Sequence, residues 1–206
     1  SKAIECYQIS TRLGNKNAAY NLGIIYSTEE GKYHNPEMAY NYFRISSDYG
    51  NYWAKFNIAN EIRDHQKDKI ELAIELYKEA GKKGYIAEAF YNLALIYLGP
   101  NYDNKIEAKF YFKEAAKLGY IKSYYNVGIL SFQEEKFEEA IEYLEIAGEK
   151  GISDAYYTLS FIYDENDKRS IDCLKKAADM LNSKAALKLG VFLSDKSYDQ
   201  SFCYIT

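Results

Sequence analysis

The sequence predicts an all-α fold, a solenoid of stacked helix pairs, and three observations carry that prediction. One short pattern recurs six times along 206 residues, at a spacing that suits two helices and their connections. A second pattern, with spacings of 3, 4 and 7, alternates with the first. Glycines fall at one fixed point of the cycle, where a helix should stop. Length and a hydrophobic content of 48% are enough for a real core. The compositional oddity is 23 Tyr against 2 Pro, 2 His and 1 Trp.

The first pattern defines helix A: a small residue, three positions, a large aliphatic anchor, and a second small residue. It runs Ala18 to Leu22-Gly23, Ala54 to Ile58-Ala59, Ala89 to Leu93-Ala94, Ser123 to Val127-Gly128, Ala155 to Leu159-Ser160 and Ala185 to Leu189-Gly190. The anchors are spaced by 36, 35, 34, 32 and 30 residues. Tyr26, Ile62, Tyr97, Tyr163 and Leu193, four residues after their anchors, are predicted to cover the seam below, with Ser131 breaking the series.

The second pattern defines helix B: a small residue, a large pair at +3 and +4, and a small residue at +7. It reads Ala3, Cys6-Tyr7, Ser10; Ala39, Tyr42-Phe43, Ser46; and Ala73, Leu76-Tyr77, Ala80. It continues as Ala108, Tyr111-Phe112, Ala115; Ala140, Tyr143-Leu144, Ala147; and Ser170, Cys173-Leu174, Ala177. Gly14, Gly50, Gly84, Gly119 and Gly151 each follow the leading residue by 11 and are predicted to end helix B in the left-handed conformation. From leading residue to next anchor the distances are 19, 19, 20, 19, 19 and 19, so the B–turn–A unit is fixed, with one extra residue near Gly84-Tyr85-Ile86-Ala87. From anchor to the next helix B they fall from 17 to 11, which puts the length variation in the A-to-B loops. The small residues let helix backbones approach while Tyr and Leu fill the grooves beside them.

These residues resemble the Sel-1-like repeat family, close kin of tetratricopeptide repeats. The carrying motifs are Ala18, Leu22, Gly23 and Tyr26 in helix A and Ala108, Tyr111, Phe112, Ala115, Ala116 and Gly119 in helix B. Asn35 and Asn104 stand four residues before helix B, where that family often has Asp. The resemblance implies a right-handed α/α superhelix of about six repeats, incomplete at both ends: one continuous array over residues 1–206, itself a piece of a longer array. The chain departs from tetratricopeptide usage by ending helix B at Gly, and its last anchor-to-B gap of 11 is tighter than either family leads one to expect. The chain opens inside a helix B, and Phe202-Cys203-Tyr204 reads as the start of another.

Composition and motif inspection exclude several functions. A net charge of −4 lacks the basic excess that nucleic-acid binding rewards. No apolar run reaches the length of a membrane span, so no membrane insertion is expected. Three Cys cannot all pair within the chain, which favours a reducing, cytoplasmic compartment. His34 and His65 fall in A-to-B loops without an i, i+4 partner, Cys6 and Cys173 occupy a core column, and Cys203 carries no reading. No catalytic, metal or cofactor constellation survives, and the chain is expected not to be an enzyme.

What the resemblance implies instead is a protein-interaction scaffold or adaptor. In helical-repeat stacks the A helices line the concave groove, which should take an extended or helical peptide of another protein. The candidate groove residues are Tyr20, Asn21 and Ile24; Phe56, Asn57 and Asn60; Tyr91, Asn92 and Leu95; Tyr125, Asn126 and Ile129; and Tyr157 and Phe161. Trp53, Arg63, Phe132 and Lys188 depart from their columns and add to that set, Trp and Arg being enriched among hot spots. The same Tyr and Asn rows serve equally as stacking glue between repeats. The rival function is a structural spacer, or a rod that associates end to end with no groove ligand.

Overall fold

A computed structural model describes residues 1–165 and 167–202, the stretch 195–202 through its backbone alone. All its regular structure is helical, with no strand among the described residues. The chain forms two compact units, Ser1–Leu118 and Gly119–Thr206. The first holds α1 (Lys2–Arg12), α2 (Lys16–Ser27), α3 (Pro36–Asp48), α4 (Tyr52–His65), a single 3-10 turn (Lys67–Lys69), α5 (Ile70–Gly84), α6 (Ala87–Leu98) and α7 (Lys105–Lys117). The second holds α8 (Ile121–Gln133), α9 (Phe137–Glu149), α10 (Ser153–Leu159), α11 (Lys168–Asp179) and α12 (Ser183–Phe202). Within each unit the helices pack in sequence, A on the following B and B on the following A.

The helix starts follow from local chemistry. Asn35 and Asn104 accept from the backbone N–H of Met38 (3.0 Å) and Glu107 (3.1 Å), so the two loop asparagines are N-caps of helix B. Asn15 and Asn51 cap α2 and α4, each accepting from two backbone N–H groups. The Gly-Asn dipeptides at 14–15 and 50–51 thus both end one helix and begin the next.

Gly14, Gly50, Gly119 and Gly151 take the expected left-handed conformation, with φ of +85°, +81°, +85° and +100°. Gly84 does not. There α5 continues through Gly84, and Tyr85 takes the positive φ of 53°. The closing bond shows the cause: it runs from Asn15 to Ser10, Asn51 to Ser46 and Ile152 to Ala147, but from Ile86 to Ala80, one residue further. The inserted residue is absorbed by lengthening the helix. Gly84 is instead a close approach, since a Cβ there would lie 2.5 Å from Tyr52 Cβ. In the sixth repeat the column has Leu181, at φ 63° and 92% exposed.

The anchors Leu22, Ile58, Leu93, Val127 and Leu159 are buried, as are the small residues Gly23, Ala59, Ala94, Gly128 and Ser160. Added Cβ atoms on Gly23 and Gly128 would lie 2.5 Å from Phe43 and Leu144, which is why those seams admit nothing larger. Four expectations need correction. Cys6 is exposed although Cys173 is buried: α1 packs mainly on α2, with one side-chain bond from Gln8 to Tyr42 of α3, whereas α11 is flanked by α10 and α12. Gly190 and Leu193 are likewise exposed, α12 packing mainly on α11. Phe202 continues α12 instead of opening a helix B, and Cys203 and Tyr204 lie outside the described residues. Tyr163 packs against the core of the second unit as expected but is not helical: α10 stops at Leu159, and the Ser160 carbonyl is taken by the Ser170 hydroxyl at 2.9 Å. The gap of 11 after Leu159 leaves no length for both a last helical turn and a loop.

Candidate partner-binding face of the A helices

The residue two before each anchor is half-buried in every repeat of the first unit, and its ring meets the +4 residue of the next helix B. Tyr20 lies 5.8 Å from Phe43, Phe56 6.0 Å from Tyr77 and Tyr91 5.4 Å from Phe112, centroid to centroid. Each ring therefore glues its own helix pair together and offers only its remaining surface outward. In the second unit Tyr125 and Tyr157 pack against a core cluster whose +4 residues are Leu144 and Leu174.

The amide row of the first unit is knitted from repeat to repeat. Asn57 Nδ2 donates to the Tyr20 hydroxyl at 3.4 Å. Asn60 Oδ1 accepts from Tyr77 Oη at 2.6 Å and from Asn92 Nδ2 at 3.0 Å. Burial pushes the Tyr77 phenol up to about 12, with Arg63 pulling the other way. Asn60 is the polar member of an otherwise apolar column, and it is the residue through which the network is joined. Asn21 is half-buried at the N-terminal end of the same face. In the second unit Asn126 is half-buried on α8, and Thr158 donates to its own helix, at the Asp154 carbonyl (2.9 Å).

The positions two after the anchors are the more open. Ile24, Leu95 and Phe161 are 40%, 42% and 48% exposed, while Ile129 is half-buried. Phe161 lies past the end of α10, not on a helix A, with the Tyr157 ring at 5.0 Å and Lys188 Nζ 3.8 Å above it. Trp53 is 47% exposed and meets Phe56 edge-on at 5.9 Å. Arg63 is bidentate on Asp64, at 2.7 and 3.0 Å, and holds that carboxyl below its usual range. Phe132 is half-buried on α8, 6.1 Å from Phe137.

Two clefts in the first unit gather part of this set. One of about 390 Å³ is lined by Tyr20, Asn21 and Trp53 together with Lys16 and Tyr52. The other, of about 330 Å³, lies between α3 and α4, with Asn57 and Asn60 on its wall. Both histidines line this second cleft, and His65 corrects its loop assignment: it closes α4, with Glu61 four residues earlier at 4.0 Å. Among the described residues no group of three His, Cys, Asp or Glu is placed to hold a metal ion. No helix among them is long and apolar enough to cross a membrane.

Paired helices at this period, closed by left-handed turns and stacked through small-residue seams, define a helical-repeat protein of the tetratricopeptide-like class. Within that class the chain belongs to the Sel1 repeat family, whose repeat matches residues 1–15, 16–51, 63–85, 87–120, 121–152 and 154–180. The fold is similar to that of a protective antigen of uropathogenic Escherichia coli with an SLR fold, at 21% identity and a TM-score of 0.72. That likeness covers 91% of this chain but only 43% of the antigen. A Sel1 repeat protein of Oxalobacter formigenes is similar at 19% identity and TM-score 0.68, over 87% of this chain and 78% of that one. YrrB, a tetratricopeptide-repeat protein described as having an unusual peptide-binding site, is similar at 18% identity and TM-score 0.62, over 89% and 97% of the two chains. No curated protein matches the sequence.

Proposed function

We propose that this Sel1 repeat protein is a non-enzymatic scaffold or adaptor, and that its A-helix face binds an extended or helical segment of another protein. The observation that carries the reading is the row of exposed apolar side chains, Ile24, Trp53 and Leu95, on a face whose other members are held by ring and amide contacts. Exposed anchors on a preorganised support are what a peptide groove needs, because little ordering is left to be done at binding. The peptide-binding description of YrrB supports the same reading.

The test is affinity capture by the wild-type chain and by Trp53→Ala combined with Leu95→Asp. Tyr91 and Tyr125 are poorer choices, since both pack inward. The doublet should lose the captured partner while its helical circular dichroism and melting stay within error of wild type. Undiminished capture would remove the A-helix face from the argument. A second reading, end-to-end self-association, draws on exposed Leu13 just past α1 and Leu187 of α12. Concentration-dependent light scattering with no captured partner would favour it.

A further inference from the structure

We infer that the cleft between α3 and α4 receives a lysine or arginine side chain of the partner segment. This rests on the peptide-binding reading above and names the chemistry of what is bound. The cleft has three carboxylates, Glu29, Glu61 and Asp64, and neither a lysine nor an arginine in its lining. Asp64 is engaged by Arg63, but Glu29 has no ion-pair partner among the described residues, and Glu61 has only His65 at 4.0 Å. A cation entering here finds negative charge that the fold has left uncompensated.

The rest of the lining suits the stem and backbone of such a residue. Buried Phe43 and half-buried Tyr40 form an aromatic floor on which the methylenes of a lysine or arginine can lie. The two wall amides have complementary groups to offer. The NH2 of Asn57 is committed to Tyr20, which leaves its carbonyl oxygen, whereas the oxygen of Asn60 already accepts twice, which leaves its NH2. One acceptor and one donor side by side match the N–H and C=O of an extended backbone.

The test is an NMR titration of the full 15N-labelled chain with the blocked pentapeptide Ac-Ala-Ala-Arg-Ala-Ala-NH2. Glu and norleucine at the centre give the control peptides. The arginine peptide should shift the amides of Asn57, Asn60 and Glu61 saturably, and the Glu peptide should leave them unmoved. Glu29→Gln with Glu61→Gln spares the Arg63–Asp64 pair and should weaken arginine-peptide binding about fivefold. Equal binding of the Glu or norleucine peptide, shifts that map elsewhere, or an unaffected double variant would each overturn the inference. The two readings fail separately. If the double Gln variant still captures partner and the Trp53/Leu95 doublet does not, the cation site falls and the groove stands. The opposite result leaves the cleft and removes the groove.

Discussion

In the first unit each A-helix ring meets an aromatic or phenolic partner on the following helix, and the amides beside them form hydrogen bonds between repeats. In the second unit the partner positions are Leu144 and Leu174, and the nearby hydroxyls turn inward. Ser131 donates to the Val127 carbonyl and lies 2.7 Å from Glu139, and Thr158 bonds its own helix. The repeat template thus asks only for bulk at these positions. Polar linkage between repeats runs through the A-helix amides and phenols in the first unit, whose A-helix face also carries the two clefts, and in the second through Asn182, whose Nδ2 donates to Asp154 at the start of α10 (2.8 Å).

The largest test of that difference is to give the first unit the second unit's residue. Tyr77 is fully buried, and its hydroxyl is one of two donors to Asn60. Tyr77→Leu should cost about 2–4 kcal/mol in urea unfolding, from the cavity together with the weakened amide network. Tyr77→Phe keeps the ring and should cost about 1 kcal/mol. The phenol adds a pH signature. Its folded pKa of about 12 lies above the ordinary 10.0, so its stabilisation is complete below pH 10 and is lost as pH rises toward 12. Tyr102, hydrogen-bonded to Glu71 at 2.5 Å and also raised to about 12, acts in the same window. Tyr77→Phe should therefore flatten the alkaline limb of stability without abolishing it. An unchanged limb would mean that the Tyr77 phenol is not buried as described.

Next in size is a turn. Leu181 occupies, at positive φ and almost fully exposed, the column that holds a left-handed glycine in four other repeats. Leu181→Gly relieves backbone strain at no packing cost and should stabilise the second unit by about 0.5–1 kcal/mol in thermal melting. Tyr85, the non-glycine left-handed residue at a B-to-A turn of the first unit, is the matched site there and should respond alike. A loss of stability at either position would show that its side chain holds the turn.

The helix pairs, their order and the odd residue near Gly84 were legible in the sequence because burial repeats with the helical period, and an insertion shifts every later landmark. How that residue is absorbed was not, since lengthening α5 and bulging the turn leave the same spacing. The stop of α10 at Leu159 was foreshadowed by the short gap but depends on Ser170 capturing the Ser160 carbonyl, a contact ten residues apart. Of the candidate face, the columns were readable and the bonds were not. Asn57 and Asn60 look alike as letters, yet one is engaged through its NH2 and the other through its oxygen, because of partners 37 and 32 residues away. His34 and His65 share no local pattern and come to line one cleft only through the packing of α3 and its preceding loop beside α4.

The smallest effect is the sharpest in kind, because one pair of columns is joined by different chemistry in the two units. Three before the anchor and six after the helix B lead stand Lys55 and Glu79 in the first unit, an ion pair. The same positions in the second hold Tyr156 and Lys176, with Nζ 5.1 Å from the ring centroid. Lys55 and then Lys83 hold the Glu79 carboxyl down to about 2. A carboxyl whose folded pKa is depressed stabilises above its ordinary 4.5 and loses that contribution as pH falls toward 2. Both partners are partly solvated, so the pair should be worth less than about 1 kcal/mol near neutrality. Glu79→Gln should consequently soften acid unfolding between pH 4.5 and 2 and change little at pH 7. Tyr156→Leu should instead remove a contact that involves no carboxylate, so it should shift stability by a similar amount at every pH across that range. If Glu79→Gln left the acid limb intact, the ion pair would be no more than a surface contact, and the contrast between the units would reduce to their aromatic and amide rows.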